Sequence, residues 1–144
     1  MKYEVCGTES TERLGKQIAE SLEKRGIKRA FIALSGEVGV GKTVFTRGFA
    51  SHFGISGVKS PTYTIVNQHT KNGVTIYHFD LYRIADGDDL ESIGWDDYMS
   101  KDAYSLAEWC ERIPDDIPED AIYVNISRSD EGEDIRIIDI RGLE

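Results

Sequence analysis

An apolar run, Ala30 to Ser35 ("AFIALS"), leads without a break into Gly36 to Thr43 ("GEVGVGKT"), and a stretch that reads as a helix follows. No other feature of the chain restricts its fold as much. The spacing fits G-x-x-x-x-G-K-[ST], a loop that joins a buried strand to a helix so that successive backbone N–H groups converge at the helix N-terminus. Glycines supply the dihedrals and leave room for an anion to approach the backbone. "KTVFTRGFASHFG" is predicted as the helix, ending near Gly54, so strand, loop and helix occur in the order the motif requires. In such a loop Lys42 reaches the β- and γ-phosphates of a nucleotide and the Thr43 hydroxyl ligates Mg²⁺.

The rest of the chain reads as one domain over residues 1–144, with no repeat, low-complexity tract or linker. "TESTERLGKQIAESLEKRG" predicts a helix capped by Thr8 or Ser10, with Leu14, Ile18 and Leu22 at helical spacing and Gly26 as the stop. "TYTIVNQ" and "VTIYHFD" alternate as strands around the turn signal "KNG". "DGDDLESIGWDDYM" predicts a short helix with acidic capping, and "AYSLAEW" a buried strand. "AIYVNISR" and "EDIRIIDIRG" alternate around "SDEG", which predicts a C-terminal β-hairpin. Helices early and hairpins late imply an α/β fold with a mixed sheet.

Charge is unevenly distributed. Residues 1–80 carry 11 Lys+Arg against 7 Asp+Glu, and residues 81–144 carry 6 against 19. An acidic second half repels phosphate backbones, so tight unaided binding to nucleic acid is not expected. It serves either as a solvated surface or as a docking face for a basic partner. The sequence has no apolar run long enough to span a membrane and no secretory h-region at its start, so no membrane association and a cytoplasmic location are expected. Cys6 and Cys110 form neither a zinc pattern nor a disulfide framework.

A phosphate loop needs acids on the far side of its metal. Asp80 ends a strand and has the setting of a Walker B aspartate. Glu108 ends another buried strand, either as a second site acid or as an exposed strand-end residue. Thr62, behind Pro61, has the chain position of a switch hydroxyl. Trp109 is either a base-stacking residue or a core aromatic. His52, His69 and His78 show no ligand spacing and read as structural or surface residues. With no N-K-x-D motif, ATP is favoured over GTP. Three readings stay open on these residues: an ATPase, a small phosphotransferase, and a nucleotide-sensing module without turnover.

Together "GEVGVGKTVFTRGFA", "SPTYTIV", "YHFDLYR" and "EW" resemble the TsaE (YjeE) family, the ATPase subunit of bacterial tRNA threonylcarbamoyladenosine biosynthesis, along essentially the whole chain. The resemblance implies a small P-loop NTPase-like αβα sandwich that binds and hydrolyses Mg-ATP and is left with ADP. It implies action with a TsaD–TsaB complex on ANN-decoding tRNAs, tRNA being reached only through that complex, and a monomer when alone. It further implies that Val38, Gly39, Val40, Gly41, Lys42 and Thr43 wrap the phosphates, and that Thr43 and Glu108 hold Mg²⁺. Asp80 becomes the Walker B acid, Thr62 the switch hydroxyl and Trp109 a neighbour of the nucleotide, with Thr8 and Gly132 as further nucleotide contacts. Glu37 and Val44 stand where the family usually has Asp and Thr; neither change removes a phosphate donor or a metal ligand.

Overall fold

A computed structural model describes residues 1–37, 39–61 and 64–143. The run before the glycine loop becomes β2 (Ala30–Ser35), whose residues 31–34 are all buried, as a central strand requires. It lies between β5 (Tyr104–Glu108) and β6 (Ile122–Arg128), parallel to both, and β4 (Val74–Asp80) runs parallel to β5 on its other side. Antiparallel strands complete both edges. β3 (Val66–Lys71) pairs with β4 through a two-residue turn in which Asn72 and Gly73 both have positive φ, as the "KNG" signal predicts. β7 (Ile135–Arg141) folds back on β6. β1 (Lys2–Cys6) adds to β7, giving a seven-stranded mixed sheet in the order β1-β7-β6-β2-β5-β4-β3. The edge strand β1 is absent from the sequence reading, although Tyr3 and Val5 alternate inward.

Alternation along the strands sends side chains to two separate cores. On one face Ile32, Leu34, Ile76, Leu106 and Val124 pack under α1 (Gly7–Lys24) and α2 (Lys42–Ser51). On the other, Phe31, Phe79 and Ala107 pack under α3 (Gly87–Ile93), α4 (Trp95–Met99) and the segment running to Ile113. The arrangement is the expected αβα sandwich.

Two local details differ from expectation. α1 starts at Gly7, directly from β1, and no side chain caps it, so Thr8 and Ser10 are not its caps. The helix predicted over 86–99 is two, because Gly94 takes a left-handed conformation (φ 81°) between α3 and α4. Its acidic cap is present: Asp86 accepts from the N–H groups of Asp88 and Asp89. α1 and α2 also approach unusually closely. A Cβ on Gly48 would lie 1.9 Å from the Glu12 carbonyl oxygen, and one on Gly15 2.3 Å from that of Phe45.

Candidate phosphate-binding site

The site forms where β2 ends and α2 begins. Gly36, Gly39 and Gly41 have φ of 138°, 83° and 118°, all in the region that favours glycine. At Gly36 space adds to the constraint, since a Cβ would lie 2.3 Å from the Ile126 carbonyl oxygen. The first helical hydrogen bond of α2 runs from Phe45 N–H to Gly41 O, no side chain caps the helix, and its first turn contains no acid. The free N–H groups and the positive end of the helix dipole are therefore available to an anion.

Lys42 is the first residue of α2 and is 9% exposed. Its ammonium donates to Gly36 O at 2.7 Å, lies 3.8 Å from Glu108 Oε1 and sits 5.6 Å from the centre of the Trp109 ring. The Thr43 hydroxyl is 2.5 Å from that of Ser60. Across the β4–β5 ladder Asp80 lies opposite Glu108, so the two acids end adjacent strands on the face that carries α1 and α2. Glu108 is buried, and its Oε2 is 3.1 Å from Nε2 of the fully buried His78. The Asp80 carboxylate accepts from the Tyr82 N–H at 3.1 Å.

A cavity of about 310 Å³ is lined by Gly39, Gly41, Lys42, Thr43, Val44, Ser60, Glu108 and Trp109. A second cavity of about 150 Å³ lies against the same glycines, bounded by Thr8, Thr11, Asp134 and Arg136. A larger one, about 390 Å³ beside Ile27, Phe53 and Tyr104, opens at the opposite ends of the parallel strands. Size does not decide between them. Ligands of open α/β sheets bind at the carboxyl ends of the strands, where the glycine loop lies.

Residues 6–137 match the family described as threonylcarbamoyl adenosine biosynthesis protein TsaE. The chain belongs to the TsaE family. It is 44% identical over 128 residues to the tRNA threonylcarbamoyladenosine biosynthesis protein TsaE of Haemophilus influenzae, covering 88% of this chain and 81% of that one. The Bacillus subtilis protein of the same name is 31% identical over 134 residues, covering 92% and 81%. The crystal structure of Bacillus subtilis YdiB superposes with a TM-score of 0.78 at 28% identity, covering 96% of this chain and 82% of that one.

In this TsaE-family chain the residues singled out from the sequence fall into groups. Gly39, Gly41, Lys42, Thr43, Glu108 and Trp109 line one cavity, and Val40 and Thr8 line its neighbour. Asp80 stands beside Glu108 in the ladder without lining the cavity. Gly132 lines neither cavity; its carbonyl accepts from Ile135 N–H within the β6–β7 turn. Val38 and Thr62 lie outside the described residues.

Other residues at the site were not singled out. Ser60 meets Thr43 from the "SPTYT" segment, and its hydroxyl beside Pro61 was the available signal. Arg112 reaches the rim, with its guanidinium 5.9 Å from the Trp109 ring and 5.3 Å from that of Tyr82. Trp109 itself has φ 65°, uncommon for an aromatic residue, and the bend turns the chain out of β5 at the cavity edge. Of the two readings given for His78, structural or surface, the structure supports the first, since it is wholly buried against Glu108. Its inward strand position, two residues before Asp80, was the signal.

Proposed function

We propose that this chain is the Mg-dependent ATP-binding and hydrolysing subunit that supports threonylcarbamoyladenosine modification of ANN-decoding tRNAs, acting in the cytoplasm with a TsaD–TsaB complex. The observation that carries the reading is the convergence of Lys42, Thr43 and Glu108 on one cavity at the uncapped N-terminus of α2. The donor set fits a nucleotide with its metal. The glycine cradle excludes side chains, one ammonium faces it, and a hydroxyl and a carboxylate lie on the far side. Bound Mg²⁺ would neutralise charge on the phosphate oxygens.

The protein's own groups then divide the work. Lys42 exchanges the neutral Gly36 carbonyl for charged phosphate oxygens, which accept stronger hydrogen bonds. The N–H groups of α2 and the glycine loop hold the phosphates, and Thr43 and Glu108 are assigned to the metal. Asp80 orders that edge as the Walker B acid, and Trp109 flanks the nucleotide. Thr62 keeps its assignment as the switch hydroxyl, and Ser60 brings its segment against Thr43. Thr8 and the second cavity serve the nucleoside end.

Among the described residues no arginine lines the main cavity, so the chain alone, a monomer, is expected to hydrolyse ATP slowly. The test titrates a TsaD–TsaB complex into an ATPase assay at low and high salt. Stimulation is expected, weaker at high salt if the acidic half guides docking. No stimulation at any ratio overturns the partner assignment.

A further inference from the structure

We propose that His78 is a positioning residue for Glu108, holding one carboxylate oxygen so that the other faces the phosphate loop. The inference rests on the reading above, in which Glu108 serves Mg²⁺. His78 is 0% exposed on β4, on the face it shares with Ile76 and Leu106, where an aliphatic side chain would pack without polar cost. Its Nε2 meets Glu108 Oε2 at 3.1 Å, and its Nδ1 is buried with no hydrogen-bond partner among the described residues. An ionised carboxylate only accepts, so Nε2 carries the proton, and in the neutral imidazole Nδ1 is then a bare acceptor. A buried acceptor left unpaired costs free energy, which marks the bond at the other nitrogen as the reason for histidine at this position. With Oε2 held, Oε1 points towards Lys42, 3.8 Å away. Once released, the carboxylate could close on the ammonium and be lost to the metal.

The test compares two amides in the full-length chain. Extended glutamine carries its N–H₂ about as far from the backbone as Nε2, whereas asparagine stops short. Mg²⁺ is titrated at fixed ATP with intrinsic fluorescence as readout, since Trp109 lines the cavity and Trp95, the buried first residue of α4, does not. The Mg²⁺ midpoint should rise about tenfold in His78→Asn, the usual loss for a residue that orients a metal ligand, and return to within about twofold of wild type in His78→Gln. ATP binding in EDTA should be unchanged in both, and thermal denaturation reports on folding. An unshifted midpoint in folded His78→Asn, or equal shifts in the two variants, overturns the proposal. Glu108→Gln separates the layers. A wild-type midpoint there overturns the metal reading and this proposal with it, whereas a shift there without one in His78→Asn overturns the His78 role alone. Imidazole ¹H–¹⁵N spectra need no His78 variant to fold. They should show wild-type His78 protonated at Nε2 and its resonance displaced in Glu108→Gln; protonation at Nδ1 overturns the proposal.

Discussion

Gly48→Ala sets two physical effects against each other. In an exposed helix the change would stabilise by about 1 kcal/mol through helix propensity. Here the new methyl would lie 1.9 Å from Glu12 O, 2.7 Å from its carbonyl carbon and 2.8 Å from its Cα. All three are backbone atoms, so no rotamer change relieves the clash. α1 has to withdraw by roughly 1.5 Å to restore ordinary contact. That movement loosens Leu14 and Ile18 of α1 from Phe45 and Phe49 of α2, all of which belong to one core. Overpacking of this kind costs about 1–3 kcal/mol, and unyielding backbone puts the cost near the top of that range. The net loss is about 2 kcal/mol after the helix gain, which corresponds to a fall in Tm of roughly 4–8 °C for a domain of this size. Thermal unfolding of the nucleotide-free protein measures it, with Gln17→Ala on the exposed face of α1 as the control. Gly15→Ala should act alike, and the double variant should lose less than the sum, because separating the helices once relieves both contacts. A Tm at or above wild type in Gly48→Ala would refute the reasoning, since propensity would then have outweighed the clash.

Three further outcomes are expected. Lys42→Ala removes the charged donor facing the cradle, which should weaken nucleotide binding by roughly 10–100-fold while the chain stays folded, as isothermal titration and circular dichroism would show. Asp80→Asn and Glu108→Ala should lower partner-stimulated turnover by about 10²–10³-fold while nucleotide affinity in EDTA stays near wild type; full turnover in either would remove that acid from the chemistry. Burial, with lesser contributions from Glu111 and Glu108, pushes the Cys110 thiol up to about 12. A disulfide reagent at pH 8 should therefore modify only exposed Cys6 in the folded chain and both cysteines in denaturant. Because the folded value lies above the unfolded one of 9.0, this thiol's contribution to stability is present below about pH 9 and is lost as the pH rises towards 12.

Much of the framework was legible because its signals are local. The "KNG" turn requires positive φ at Asn72 and Gly73 and sets the β3–β4 register with Lys71 opposite Val74. The loop glycines and the unbroken apolar run of β2 each depend only on nearby backbone and burial. β1 was missed because a five-residue edge strand takes its order from β7, whose pairing begins more than a hundred residues away, at Asp139 opposite Lys2. The continuous helix predicted over 86–99 failed at Gly94, where the left-handed backbone that glycine allows outweighed the periodic pattern.

By itself, then, the sequence determined which residue types would meet a phosphate and which strands would carry them, since a glycine loop between strand and helix admits few alternatives. The tertiary structure decided how those side chains face one another. Asp80 and Glu108 become neighbours only because β4 and β5 pair in parallel at that register, although 28 positions separate them in the chain. The same register puts His78 diagonally beneath Glu108, and it converts a histidine without motif or ligand spacing into the side chain that hydrogen-bonds Glu108. Side-chain geometry of that kind depends on strand pairing and packing against the other elements, which no local pattern of residues encodes.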